Sequence, residues 1–190
     1  MTGCNFARLA VHMARRRRLA RSEDGVALIE FALVFPLLIS LFLGMVEFSE
    51  AFAVSRKLSN AAATVSDLVA QMPSVTTNDL NDIAQVAETL MAPYGANNLG
   101  LVITSVEANA DNTATTAGWS YVHGTGASAR TGGSAVTLPT GLTEPNASVI
   151  LAETTYQFRP TIGLYLTGVI TLRGQAYFRP RSVEMVMKTD

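Results

Sequence analysis

The sequence is poor in the side chains that most often carry out chemistry. It has one cysteine, Cys4, and two histidines, His12 and His123, among 190 residues. A single cysteine excludes an intramolecular disulfide framework, and two distant histidines do not have the spacing of a zinc site. Ser120 and His123 suggest no catalytic triad, because no nucleophile elbow accompanies them. We therefore predict that the protein is not an enzyme and has no cofactor or metal site.

Charge is also scarce, and it is distributed unevenly. Only 15% of residues are charged, against about 25% in soluble domains, and the mean hydropathy is +0.26. This composition argues against a disordered chain and against an ordinary soluble enzyme. The first 21 residues hold six of the 14 basic residues and no acidic one, whereas the rest carries eight basic and 15 acidic residues. The six early basic residues are Arg8, Arg15, Arg16, Arg17, Arg18 and Arg21.

A long apolar run follows these arginines. Residues 26–46 read VALIEFALVFPLLISLFLGMV and contain one charge, Glu30. As a helix, this run would be about 31 Å long, which matches the core of a bilayer. By the positive-inside rule, Arg15, Arg16, Arg17, Arg18 and Arg21 stay in the cytoplasm and the acidic remainder lies outside. Beside such a helix, we expect the arginines to bind anionic lipid and not nucleic acid.

A secretory signal peptide is the alternative interpretation of this N-terminal region. Ala51 and Ala53 form an A-x-A pattern that predicts cleavage before Val54. However, the apolar run is longer than the usual 7–15 residues, and Glu47 and Glu50 lie where the cleavage region should be neutral. These two features favour a membrane helix.

Glu30 has two interpretations. A carboxylate five residues into the apolar run costs about 1–3 kcal/mol unless it finds a partner or reaches the head groups. It can therefore extend to the head groups of the bilayer. Alternatively, a cut between Gly25 and Val26 would give Val26 a free amine that pairs with Glu30 of a neighbouring subunit. Such a pair would select the register in which helices pack, because an unpaired buried charge is costly.

The residues around this position resemble a known family. GVALIE, residues 25–30, resembles the processing site of type IV pilins and pseudopilins, although Val26 stands where many of them have Phe or Met. The longer string DGVALIEFALVFPLLISLFLGMVEF resembles the TadE/TadG-like family of the tight-adherence (Tad, or Flp) pilus system. Gly25, the EFAL segment at residues 30–33 and Pro36 carry this resemblance. The C-terminal YFRPR, residues 177–181, is similar to that family's ending.

The resemblance implies a structural role. It implies cleavage after Gly25 by a prepilin peptidase and insertion in the bacterial inner membrane, with the N-terminus cytoplasmic and the head periplasmic. It further implies that the chain is a minor pilin (pseudopilin) at the pilus tip or an initiation complex. Its partners would be inner-membrane lipid and other pilin and pseudopilin subunits, bound through the N-terminal helix. The alternative is an uncleaved single-pass membrane protein that scaffolds the assembly machinery.

Pro36 interrupts the hydrogen bonding of the predicted membrane helix. A proline inside a helix removes one backbone hydrogen bond and kinks or softens the helix. Neighbouring groups can satisfy the freed carbonyl within a bilayer. Pro36 is therefore either a simple kink in an anchor or a point of local melting when the helix moves from bilayer to filament.

Helical periodicity continues beyond the apolar run. Small and apolar residues recur at alternating spacings of three and four, which predicts a helix to residue 71 that Pro73 ends. We expect this stripe to pack on the protein's own sheet, with the helix of another subunit as the alternative. The stripe consists of Ala51, Val54, Leu58, Ala61, Val65, Leu68 and Met72.

The rest of the chain predicts an α+β head with an antiparallel sheet. Thr76 and Thr77 can cap a second helix over residues 78–91, with one apolar face made of Leu80, Ile83, Ala84, Ala87 and Leu90. Alternating residues predict strands at 99–109, 118–123, 149–158 and 169–178, and a short last strand at Val183, Met185 and Met187. The long loops between residues 110 and 145 are expected to be surface connections. The predicted organisation is a basic cytoplasmic leader (1–25), a transmembrane and amphipathic helix (26–72) and an extracytoplasmic head (73–190).

Overall fold

The computed structural model describes residues 23–190, with side chains from residue 25 onward. Cys4, His12 and Arg8 lie outside the described residues, as do the five arginines to which sequence assigns membrane orientation, Arg15, Arg16, Arg17, Arg18 and Arg21. The chain divides into two units, one ending at Val46 and one comprising Glu47–Asp190. Each unit is described by itself.

Helix α1 comprises Glu23–Ala70 and confirms the long helix predicted from the sequence. From residue 26 to Val46 nearly all its side chains are exposed. From Glu47 onward, one face is buried in the core of the second unit, where Val54, Leu58 and Val65 are fully buried. The predicted stripe therefore packs on the protein's own head. The buried face is wider than the stripe and also includes Ala62, Ser66, Val69 and Ala70.

Helix α2 comprises Thr77–Leu90 and begins with the predicted cap. The Thr76 hydroxyl accepts a hydrogen bond from the Asp79 amide (3.2 Å), and the Asp79 carboxylate accepts one from the Thr76 amide (2.9 Å). The bond from the Thr76 amide holds the pKa of Asp79 below its ordinary value. The prediction for Leu90 was wrong, since it is exposed while Met91, beyond the last residue of α2, is fully buried. Met91 lies four residues after buried Ala87, so it continues the inward face.

Four antiparallel strands form the main sheet and confirm the predicted α+β fold. They are β2 (Leu99–Ala108), β3 (Thr115–Gly124), β4 (Ser148–Phe158) and β5 (Ile170–Phe178), in the order β3-β2-β4-β5. The central strands β2 and β4 are buried along most of their length. A shift in register between β2 and β3 falls at Ser105 and Val106.

A second, two-stranded sheet departs from the sequence prediction. Strand β1 (Ser74–Val75) pairs in parallel with β6 (Met187–Lys188). Sequence predicted no strand at β1, and it predicted a short last strand at Val183, Met185 and Met187, of which only Met187 lies in β6. Val186, just before β6, is fully buried, and Met187 is exposed. Two residues are too short for an alternating pattern, so local sequence could not predict this pairing.

The loop between β3 and β4 is more than a surface connection. Val136 and Leu138 from this loop pack against Val106, Ala117 and Leu151 of the sheet. The Ala135 backbone forms an isolated bridge with Thr116. The expectation of a plain exposed connection was therefore wrong for this part of the loop.

Candidate processing and assembly site

The predicted processing residues lie in the first turn of α1. Gly25 and Val26 are the third and fourth residues of that helix, and the Val26 side chain is 54% exposed. The first four amide groups of a helix have no partner within the helix, so this turn is held less strongly than the helix interior. Processing between Gly25 and Val26 stays a prediction.

Glu30 is exposed, one turn after Val26. Among the described residues, no side chain or amide forms an ion pair or hydrogen bond with it. An exposed carboxylate surrounded by apolar neighbours is free to bind a partner outside this chain. Its predicted role in assembly is not tested by the fold.

Pro36 lies within α1, and the helix continues through it to Ala70. Because proline has no backbone amide hydrogen, the carbonyl of Ala32 lacks its usual helical donor. The helix therefore lacks one backbone hydrogen bond within the apolar run. Whether the helix melts there during assembly stays a prediction.

The apolar run has the surface of a membrane-spanning helix. Its mean hydropathy reaches 2.6 over an 18-residue window, and none of that window is buried within the described residues. Leu33, Leu37 and Leu41 expose 75%, 67% and 62% of their side chains. Exposed apolar surface on this scale marks contact with lipid or with other protein chains.

Glu47 marks the point where α1 begins to contact the head. It is 1% exposed, although it follows the apolar run directly. Its carboxylate accepts hydrogen bonds from three consecutive amides, those of Leu164 (2.6 Å), Tyr165 (3.0 Å) and Leu166 (2.9 Å). The bond from Leu166 contributes most to lowering the pKa of Glu47, against an opposing effect of burial. The carboxylate therefore stays ionised in its amide nest.

Two further contacts, made by Glu50 and Lys57 of α1, join this helix to the rest of the head. Glu50 accepts a hydrogen bond from the Thr161 hydroxyl at 3.1 Å. The Lys57 ammonium donates to the carbonyls of Leu90 (3.2 Å) and Ala92 (2.7 Å), which lie at the C-terminal end of α2. Carbonyls at a helix C-terminus lack helical partners and favour a cation. These bonds fix α1 against both the second helix and the loop after β4.

The C-terminal YFRPR segment contacts the other end of α1. The Arg181 amide donates to the carbonyl of Ala70 at 3.0 Å, and its guanidinium pairs with Asp67. Arg179 donates to the carbonyls of Leu142 (2.6 Å) and Gly141 (2.8 Å). In the sequence, this segment resembles the family's ending and its Arg-Pro pair ends a strand, whereas the structure shows that it closes the last turn of the long helix.

The weak catalytic pattern does not form a site. Ser120 and His123 are three residues apart on β3, so their side chains project to opposite faces of the sheet. The Ser120 hydroxyl lies 3.0 Å from that of Thr104, while His123 Nε2 lies 2.8 Å from the Glu88 carboxylate. In the described part of the chain, no group of three His, Cys, Asp or Glu side chains could hold a metal ion.

Fold and surface together define a class of protein: an α+β head on a helix that is apolar enough to cross one membrane. A family model described as TadE-like protein matches residues 25–67. The match covers the apolar run and the part of α1 that packs on the head, and it confirms the resemblance predicted from the sequence. The protein is therefore similar to a family associated with the Tad pilus, a structural and assembly family not known for enzymatic activity. The comparison with curated proteins gave no match, and neither did the comparison with solved structures.

Proposed function

We propose that the chain is a structural minor pilin (pseudopilin) of a Tad/Flp-type pilus. A prepilin peptidase cuts it after Gly25, and its N-terminal helix then joins the helices of other pilin and pseudopilin subunits at the tip or initiation complex. The proposed organisation is a leader (1–25), an assembly helix (26–72) and a head (73–190). One observation supports this proposal most. The exposed apolar part of α1 follows Gly25 directly, starts at Val26 and has a single carboxylate, Glu30, near its start.

The location follows from the same features. The leader arginines, Arg15, Arg16, Arg17, Arg18 and Arg21, hold the N-terminus in the cytoplasm, and the head lies in the periplasm before assembly. Inner-membrane lipid contacts the apolar run before the subunit leaves the bilayer. After cleavage the chain keeps eight basic and 13 acidic residues, a net charge of −5. The mature chain then has no basic leader that would bind anionic lipid on the cytoplasmic side.

Glu30 acts after processing. The new amine of Val26 in one subunit pairs with Glu30 of a neighbour, which removes two unpaired charges from the helical bundle. Pro36 lies six residues further on and weakens the helix where it must adapt to new neighbours. The head has no catalytic role in this proposal.

Mapping the N-terminus of the protein purified from its own membrane tests the processing step. A mature chain that begins at Val26 supports the pilin, and an intact Met1 supports the uncleaved scaffold. A chain that begins at Val54 would identify a secreted protein. The Gly25→Leu variant should retain the leader. If this variant is processed normally, the proposed cleavage site is wrong.

A second experiment tests assembly. The Glu30→Ala variant should enter the membrane normally but yield few pili, because the amine of the next subunit has no partner. Ser40→Ala is the matched control, since the Ser40 hydroxyl bonds only to the Leu37 carbonyl of its own helix. Normal piliation with Glu30→Ala would rule out the proposed charge pair.

A further inference from the structure

The loop between β4 and β5, residues 159–169, has an unusual surface for a head exposed to water. Among the described residues after Val46, ten large hydrophobic side chains are exposed, and four of them lie in this loop. They are Ile162 (44%), Leu164 (50%), Tyr165 (52%) and Val169 (49%). Residues 160–172 contain no charged side chain. A concentrated exposed apolar surface of this kind marks an interaction site.

The loop is held at a defined place on α1. Its central amides, at Leu164, Tyr165 and Leu166, bind the buried carboxylate of Glu47, and Thr161 binds Glu50. Leu166 turns inward and packs against the core. The loop therefore presents Leu164 and Tyr165 outward from a fixed backbone. Glu47 is the first residue after the 26–46 run, so the loop is fixed at the residue where that run ends.

Two arginines that flank the uncharged segment, Arg159 at the start of the loop and Arg173 within β5, fit a lipid surface. Arg159 precedes the uncharged segment and Arg173 follows it, and both are exposed. Neither forms an ion pair with any other residue that the structure describes. Apolar side chains and a tyrosine between two free arginines suit the boundary of a bilayer, where aromatic rings lie at the head groups and guanidinium groups bind phosphate.

We propose that the β4–β5 loop is a second membrane contact of this protein. Ile162, Leu164 and Tyr165 insert at the head-group boundary of the leaflet from which α1 emerges, and Arg159 and Arg173 bind lipid phosphate. The proposal rests on the proposed function in one respect, that residues 26–46 span the bilayer before assembly. The subunit is then held by its helix and by its head, and both contacts must break when it enters the filament.

Nitroxide labels on the full chain test this contact. Cys4→Ser removes the one native cysteine, and Leu164→Cys, Met187→Cys and Leu38→Cys each add one label site. Leu164 and Met187 are matched in exposure, at 50% and 56%. They differ in position, because Met187 pairs with Ser74, beyond the end of α1 at Ala70. That end lies about 35 Å along the helix from Glu47.

The protein is reconstituted in vesicles of phosphatidylethanolamine and phosphatidylglycerol. Collisions of each label with oxygen, which concentrates in lipid, are compared with collisions with a water-soluble nickel complex. We expect the label at residue 164 to lose nickel collisions and to keep oxygen collisions, as the label at residue 38 does. The label at residue 187 should collide freely with nickel. Apolar side chains at the boundary are buried about 5–10 Å into the region between head groups and acyl chains, which is deep enough to exclude the complex.

The outcomes separate this proposal from the proposed function. If the label at residue 38 collides freely with nickel, the helix does not span the bilayer and both proposals fail. If residue 38 is protected while residue 164 is accessible, only the loop contact is wrong. If residue 164 becomes shielded from both reagents only in assembled pili, a neighbouring subunit is its partner, which also overturns the lipid contact.

A variant of the anchor provides a second readout. Glu47→Gln removes the charge that holds the three loop amides but leaves the apolar residues in place. The label at residue 164 should become more mobile and regain nickel collisions, while the label at residue 38 stays protected. Thr143→Ala is the matched control, because its hydroxyl bonds only to exposed Asn112. Unchanged collisions at residue 164 in Glu47→Gln would show that Glu47 does not position the loop.

Discussion

The two parts of α1, before and after Glu47, are both apolar, but the first is exposed and the second has a buried face. Residues 26–46 consist mainly of large apolar side chains that no described residue covers. After Glu47, smaller side chains such as Val54, Ala61 and Val65 are fully buried against the head. Small residues let the helix approach the sheet closely, whereas large ones maximise the surface offered to another partner. Within one helix, the exposed part therefore carries larger side chains than most of the buried face does.

The largest expected difference between the two parts concerns head stability. Leu58 is fully buried, so Leu58→Ala should lower the free energy of unfolding of the head by about 2–5 kcal/mol. Leu38→Ala makes the same change at a side chain that is 52% exposed and should leave the head unaffected. The fluorescence of the one tryptophan, Trp119, reports unfolding. Equal destabilisation by both variants would contradict the view that only the part of α1 after Glu47 stabilises the head.

Membrane insertion, in contrast, should depend on the apolar run and not on the head. Leu38→Asp places a charge near the middle of the apolar run and should disfavour insertion by about 2.5–3.5 kcal/mol. Val122→Asp places the same charge on an exposed position of β3 and should leave insertion unchanged. Resistance to alkaline extraction of membranes measures both. A fully inserted Leu38→Asp protein would show that lipid does not surround this part of the helix.

A smaller effect is expected at Gly174, where β5 lies close to the backbone of α1. A Cβ at Gly174 would lie 2.8 Å from the Leu58 carbonyl carbon and 2.9 Å from the Ser59 amide nitrogen. Gly174→Ala should therefore cost about 1–3 kcal/mol of head stability, since one backbone must move away from the other. Gly95→Ala is the control, because nothing lies within 4 Å of its Cβ position. Chemical denaturation compares the two, and a neutral Gly174→Ala would contradict this close approach.

The smallest effect is local and depends on pH. Since the pKa of Glu47 in the folded protein lies below the ordinary value of 4.5, its bonds to the loop are complete above that value. They weaken as pH falls through the lowered pKa, because the protonated carboxyl accepts less strongly. The amide resonances of Leu164, Tyr165 and Leu166 should titrate in that acidic range. Glu47→Gln should remove the titration, and a Glu47→Gln protein that still titrates would implicate another group.

Sequence predicts the parts of this fold that depend on local patterns. The spacing of Val54, Leu58 and Val65 predicts the buried face of α1, and Thr76 predicts the start of α2. Alternation predicts the four long strands, because one residue in two must face the core. Pairing of β1 with β6 depends on residues more than 100 positions apart and leaves no local pattern.

The role of Glu47 shows why part of the candidate site could not be predicted. In the sequence it is a charge beyond an apolar run, which argues only against a cleavage region. Its function depends on three amides that come 117 to 119 residues later, and backbone groups carry no sequence signal. Gly25 and Glu30, by contrast, are recognisable because the resemblance is local and nearly contiguous. Local sites can be predicted from sequence, and sites assembled from distant backbone cannot.

The hydrogen bond between the Arg181 amide and the Ala70 carbonyl implies an order in which parts of the head fold during synthesis. The last turn of α1 is made early in synthesis, but its closing group comes 111 residues later. The strand that covers Leu58 also comes late, since Thr154 bonds to the Leu58 carbonyl from 96 residues away. The head therefore cannot finish folding until almost the whole chain has left the ribosome, because contacts this distant in sequence form last. A subunit that lacked Arg181 would leave the Ala70 carbonyl without this donor, so residues after β5 are needed to close the last turn of α1.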